Sequence, residues 1–316
     1  MNALRYLGRR AVSTVPMLLL VGLITFLLIH ITPGDPASVV AGENATEEAI
    51  QEARHRLGLD KPFLVQFATW LTSVLSGDLG TSFTSGKPVT ELIFERMPIT
   101  LSLTAGATLI GLVIAIPFGV FAATHRGSWA DRTTILVTSM GIAAPEFFIG
   151  LLLVLLVALE WGILPATGYT PFFEDPVEWA RGLVLPSLAL GLGIAAELTR
   201  QVRGAMIDVL SRDYIQTARA KGLSLFSIIV KHGLKNAAIP VVTVLGLQIR
   251  RLLGGTVIVE QIFAMNGVGS LAVRAVFHRD LPVLLGVALT TAIIVLIINL
   301  IVDLSYSYFD PKVRAG

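Results

Sequence analysis

The stretch "DYIQTARAKGLSLFSIIVKHGLKNAAIP", Asp213–Pro240, carries Arg219, Lys221, Lys231 and Lys235 in a helical pattern. Nearly everything around it is hydrophobic enough for a lipid bilayer. In a soluble protein such a segment would be ordinary. In a membrane chain it is a basic, amphipathic loop held at the bilayer edge, and the side it lies on fixes the threading of every span around it.

Composition makes the membrane the main solvent. The 316 residues are 54% hydrophobic and 15% charged, with a mean hydropathy of +0.76, whereas about 25% charged is ordinary for a globular domain. The formal charge of +2 is too small to point to nucleic acid. There is no cysteine, so disulfide frameworks, zinc–thiolate sites and thiol nucleophiles are excluded. The first apolar run is too long for a signal-peptide core and no small-residue cleavage site follows it, so no cleavable leader is expected.

A hydrocarbon core of about 30 Å needs roughly 20 apolar residues in a helix. Six segments qualify: Val12–Ile31, Ile99–Ala123, Ile135–Leu159, Leu183–Val202, Ile239–Ile258 and Val283–Val302. The fourth has the weakest signal, broken by Pro186, Gly191 and Gly193 and carrying Glu197 and Arg200. With both termini inside, the inner segments hold Arg5, Arg9, Arg10, Arg126, Arg132, Arg200, Arg203, Arg212, Arg219, Lys221, Lys231, Lys235, Lys312 and Arg314. The short outer loops hold only Arg181, Arg274 and Arg279. The positive-inside rule therefore puts both termini and the basic loop in the cytoplasm.

The long outer loop, 32–98, has helical signals of its own. Thr46 before "EEAIQEARHRLG" reads as an N-cap with acids in the first turn and Gly58 at the close. In "FLVQFATWLTSVLSG", Phe63, Phe67, Trp70, Leu71 and Val74 share one helical face. These short helices are expected to lie on the membrane or against the span ends, as a structural cap or as a docking surface for a soluble partner. "GTSFTSGKP", Gly80–Pro88, is not a phosphate-binding loop: five residues separate its glycines and Pro88 stands where Ser or Thr would hold magnesium. His30, His55, His125, His232 and His278 are scattered, and no zinc pair or catalytic triad can be assembled.

Within the basic loop, Ile207, Leu210, Tyr214, Ala218 and Gly222 repeat at helical spacing, followed by Phe226, Ile229, Val230 and Leu234. Two short helices joined near Gly222 fit this pattern. Ala218, Ala220 and Gly222 are small and let another protein come close, with Arg219 and Lys221 beside them to orient it. The alternative is a positive-inside loop resting in the headgroup layer.

The segments "DYIQTARAKGL" and "KHGLKNAAIP" resemble the cytoplasmic docking loop of ABC importer permeases, in the form found in the B subunit of dipeptide/oligopeptide permeases. "PGDPA" (Pro33–Ala37), "LGLDKP" (Leu57–Pro62), "GDLGTS" (Gly77–Ser82), "VIVEQIF" (Val257–Phe263), "GVG" (Gly267–Gly269) and "FDPKVR" (Phe309–Arg314) extend the resemblance over almost the whole chain. Gln216 and Thr217 replace the Glu and first Ala of the general loop pattern, and its later Leu-Pro reads Leu234-Lys235, with the proline delayed to Pro240.

The resemblance implies an all-α, six-span type I importer permease in the bacterial inner membrane, one domain over 1–316. Its docking loop, 203–238, would seat Tyr214, Ala218, Arg219, Ala220, Lys221, Gly222 and Leu223 in a groove on a cytoplasmic ATPase. The implied partners are a second homologous permease, two ATPase subunits or domains that bind ATP and magnesium, an extracytoplasmic binding protein and membrane lipid. This chain itself would hold no cofactor and catalyse no covalent chemistry. Peptides are the implied cargo, with haem, nickel, glutathione or oligosaccharides as alternatives. An ion-coupled secondary transporter is the distant rival.

Arg250 and Arg251 fall in the middle of the fifth span, where an Arg costs at least about 2.5 kcal/mol. Adjacent residues point about 100° apart on a helix, so at least one should pair with an acid or face a water-filled path. Glu146, after the kink-prone Pro145, and Glu197 are the acids on offer, and Glu197 has Arg200 on its own helix. An ion pair, within the chain or to a partner subunit, and a lining role toward an anionic cargo group both remain open.

Overall fold

A computed structural model describes residues 15–27, 35–42 and 45–309, the side chains of 306–309 excepted. The described chain is helical, with a single bridge between Thr81 and Pro88. In order the helices are α1 (Val15–Leu27), α2 (Pro36–Ala41), α3 (Glu47–Arg56), α4 (Phe63–Leu75), α5 (Val89–Thr124), α6 (Trp129–Ala143) and α7 (Glu146–Leu153). There follow α8 (Pro176–Leu210), α9 (Asp213–Ala220), α10 (Leu225–Ser227), α11 (Lys235–Ile262), α12 (Val268–Phe277) and α13 (Leu281–Phe309). Wider π-helical turns, Val154–Glu160 and Ile228–Leu234, extend α7 and join α10 to α11.

Among the described residues, four helical stretches are long and apolar enough to cross a membrane: α5, α8, Leu225–Ile262 and α13, or five with the bent pair α6–α7. The first expected span is described only over Val15–Leu27, an apolar helix of 13 residues; the rest of Val12–Ile31 lies outside the described residues. The third, Ile135–Leu159, is broken at its proline. It is not one continuous helix but two, bent by 96° at Ala144–Pro145. Proline has no N–H to donate and drives the residue before it out of the helical region, and Ala144 sits at φ −75°, ψ 124°.

The chain divides into two compact units. The first contains the described residues of Met1–Pro98 with Asn266–Leu296. There α3 is capped by Thr46 and closed by Gly58 at φ +69°, as its sequence dictates. The apolar face of α4 packs on α1: the Phe26 ring lies 5.6 Å from Phe63, 5.5 Å from Phe67 and 5.5 Å from Trp70. The loop before α5 closes around one carboxylate. Asp280 accepts hydrogen bonds from Ser82 Oγ (2.6 Å), Thr84 Oγ1 (2.7 Å), Phe83 N (3.1 Å) and Thr84 N (3.2 Å). The "GTSFTSGKP" loop is thus an anion receptor after all, and its anion is a side chain of the same protein.

The second unit contains Ile99–Met265 and the described residues of Ile297–Gly316, with α8 at its centre. Asp175 caps α8 through the amides of Val177 and Glu178, and Pro176 opens it. The mean hydropathy of its most apolar stretch is 1.6, below the 2.2 of that in α5, yet 67% of that stretch is buried, against 39% for α5. A helix wrapped by protein needs small, close-fitting residues more than lipid-grade ones, which explains its weak sequence signal. A Cβ on Gly111 would come within 2.6 Å of Ile194, one on Gly119 within 2.7 Å of Val202, and one on Gly191 within 2.9 Å of the Ala107 carbonyl oxygen. Asp131 on α6 is clasped by Arg203 of α8, with Nη2–Oδ2 at 2.8 Å and Nε on the other oxygen.

Candidate functional site

The basic loop is built on a small core of its own. Ile215 and Ala218 lie one turn apart on α9 and bury themselves against Ile228, with Leu210 and Leu223 packed beside them. Helix α9 then stops in a complete Schellman motif. Gly222 N donates to Arg219 O at 2.9 Å and Leu223 N to Ala218 O at 3.2 Å, with Gly222 at φ +78°. The expected joint at Gly222 is therefore real, and its second helix runs on into α11 through the π-helical turn.

This core sorts the predicted docking residues. Tyr214, Arg219, Ala220, Lys221 and Gly222 are exposed. Ala218 is 8% exposed and Leu223 half-buried. Ala218 lies on the inward side: a helix this short needs an apolar face to hold it down, and Ala218 belongs to that face. Leu225 and Phe226, at 59% and 77% exposure, extend the exposed side. Sequence reasoning placed Phe226 in an apolar set; its outward direction follows from Ile228 taking the inward position.

The intramembrane charges separate equally clearly. Glu197 is taken by Arg200 on its own helix, at 2.8 and 2.9 Å. Glu146, first residue of α7 beyond the break, is half-buried and faces glycine: a Cβ on Gly255 would lie 3.0 Å from its Oε2 and one on Gly193 3.8 Å from its Oε1. Arg250 is half-buried and Arg251 exposed. Among the described residues, neither Arg nor Glu146 makes a hydrogen bond or an ion pair within 4.0 Å. Among the described residues, the ion pair inside this chain, one of the readings held open above, is not formed. No group of three His, Asp or Glu side chains among the described residues could hold a metal ion.

Residues 115–315 match the family described as binding-protein-dependent transport system inner membrane component, and residues 3–104 match its N-terminal counterpart. The chain belongs to this family. A putative peptide transport system permease protein of Brucella abortus (strain 2308) is 40% identical over 306 residues, 97% of this chain and 98% of that protein. The glutathione transport system permease protein GsiC of Salmonella typhi is 40% identical over 311 residues, 98% of this chain and 99% of that one. Among solved structures, an inward-facing form of the MetNI methionine ABC transporter superposes with a TM-score of 0.57 at 19% identity, covering 69% of this chain and 96% of that one. At that identity the likeness speaks for the fold.

For a binding-protein-dependent permease, the geometry has a plain consequence. The 115–315 match takes in α9, the π-helical turn and α11, so the exposed helix of the basic loop lies within the segment shared across the family. Two features of the fold escaped sequence reasoning. The Asp280 clasp joins residues 196 to 198 positions apart in the chain, and the Asp131–Arg203 pair joins helices whose charges read only as inner-side signals.

Proposed function

We propose that this permease subunit forms half of a peptide pathway through the bacterial cytoplasmic membrane and is driven by ATPases docked on its basic loop. The single domain, 1–316, crosses six times, with both termini cytoplasmic, the helical loop 32–98 outside and the docking loop 203–238 inside. Charge asymmetry supports that sidedness. A second homologous permease completes the pathway. Two cytoplasmic ATPase subunits or domains bind ATP and magnesium, and an extracytoplasmic binding protein delivers cargo. The peptide and glutathione names of the relatives support a peptide cargo.

The observation that carries the docking reading is α9 itself. It is a short helix, anchored from below by Ile215 and Ala218, that presents Tyr214, Arg219, Ala220 and Lys221 with Phe226 alongside. A loop serving only to mark the inner side has no need of a private core and a Schellman stop. ATP closure would pull this surface, open the spans outward to the binding protein, and hydrolysis would reset them.

The test is purification of the tagged complex in mild detergent with Lys221→Glu and Ala220→Arg. Both positions are exposed and outside the Schellman hydrogen bonds, so the loop should fold while the ATPase is lost. ATPase in wild-type stoichiometry on both variants would refute docking at this surface.

A further inference from the structure

The peptide reading leaves Glu146 and Arg251 without a use, and their placement gives them one. Glu146 opens α7 just past the 96° break, with helices of 15 residues on one side and, counting the π-helical turn, as many on the other. Its depth is therefore near the middle of the bent pair. Arg251 lies on α11 one turn before Gly255, the residue whose backbone the Glu146 carboxylate faces at a would-be Cβ distance of 3.0 Å. Residues four apart on a helix share a face, so Arg251 and the carboxylate are on one side of α11.

The two are nevertheless not closed on each other, and among the described residues neither has another partner. Elsewhere in the same unit two acid–base pairs close fully, Asp131–Arg203 and Glu197–Arg200. The glycines at 193 and 255 keep space clear around the carboxylate where side chains would fill it. A separated acid and base on neighbouring apolar helices form a dipole, and its complement is a molecule with a cation and an anion a short distance apart. A purely anionic cargo would meet Glu146 as a repulsion, and a purely cationic one would meet Arg251.

We propose that Arg251 and Glu146 form a dipolar contact for zwitterionic cargo, Arg251 receiving the terminal carboxylate of a short peptide and Glu146 its amino group. The guanidinium fork matches a carboxylate with two parallel hydrogen bonds, and the Glu146 carboxylate accepts from the ammonium. This rests on the importer reading above and names the cargo chemistry of that pathway.

The test uses the complete complex in proteoliposomes with saturating binding protein. The probes are tri-alanine, its C-terminal amide and its N-acetyl form. Arg251→Gln should lower tri-alanine uptake roughly tenfold, the scale of one charge-assisted hydrogen bond, to the level of the amide, whose own uptake stays unchanged. Glu146→Gln should do the same relative to the N-acetyl form. Arg251→Lys keeps the charge but not the fork, so it should retain a reduced preference for the free carboxylate even if the Gln variant fails to assemble. Equal loss for all three probes, or an Arg251→Lys complex with no such preference, would overturn the proposal and assign the charges to a contact with the second permease. Wild-type uptake that ignores ATP would instead refute the importer reading. ATP-dependent complexes that move none of the three probes would overturn the zwitterion contact along with the peptide cargo.

Discussion

Gly222 offers the sharpest test of how the basic loop is made. At φ +78° it occupies the left-handed region, and a Cβ built there meets no atom within 4 Å. Gly222→Ala therefore carries no steric collision, only the backbone cost of an L-residue in that conformation, about 1–2 kcal/mol. That cost falls on the Schellman bonds of Gly222 N and Leu223 N. A cost of that size is a factor of roughly 5–30 in the closed population. Hydrogen exchange on the detergent-solubilised permease should show protection at Leu223 falling by that factor in Gly222→Ala. Gly222→Asn should lose less, because Asn tolerates the left-handed region. Lys221→Glu should leave exchange at wild-type level while weakening ATPase retention. The reasoning is refuted if Gly222→Ala exchanges like the wild type, or if Asn is no better than Ala. A bulky substitution such as Gly222→Arg would mix strain with surface bulk and separate nothing.

Gly191→Ala should destabilise the second unit by about 1–3 kcal/mol by overpacking, because its Cβ would meet the Ala107 carbonyl oxygen at 2.9 Å and backbone cannot swing aside; thermal unfolding in detergent reads this, and Gly204→Ala, with nothing within 4 Å, is the neutral control. Asp280→Ala should cost at least about 2 kcal/mol, since charge-assisted hydrogen bonds are worth about 1.5–3 kcal/mol each, and should open the 82–84 loop to proteolysis; an unchanged cleavage pattern would show that the clasp does not hold that loop. Gly233→Val should leave the exposed face of α9 intact and ATPase bound, yet lower uptake per ATP hydrolysed, because its Cβ would press to 2.7 Å from Cε of the fully buried Met206; an unchanged ratio would remove this contact from the coupling route.

What the sequence could convey depended on whether a signal was local. The Thr46 cap, the Gly58 close, the apolar face of α4 and the joint at Gly222 were all readable, because each depends on neighbours within a few residues. The kink at Pro145 was readable as a kink, but its 96° bend was not, since both α6 and α7 pack against α8, a helix distant in sequence from the break. The direction of Ala218 was not readable because alanine is small both on a presented surface and in a tight core; the position of Ile228 places it inward. The Arg250–Arg251 pair announced itself by cost, yet cost does not name a partner. The Asp280 clasp was invisible, being assembled from opposite ends of the chain.

The loop and the intramembrane charges are joined by continuous packing within the second unit. Leu210 of α8 packs on the Ile215–Ala218–Ile228 core, and Met206, one turn earlier, packs in the cluster with Val202 and Ala237. The π-helical turn leads directly into α11, which carries Arg251 and Gly255, while α8 carries Gly193. Under the docking proposed for α9, a displacement there enters α8 and α11 together. Those are the two helices whose glycines face the Glu146 carboxylate. A close-packed interior does not absorb such a shift locally, so relative sliding of α8 against α11 would alter the space around Glu146 and its separation from Arg251. Under these proposals, one state would leave the pair open to a zwitterion, and the other would close it on itself and expel it. The same two charges would then both recognise cargo and release it, with ATP setting which of the two they do.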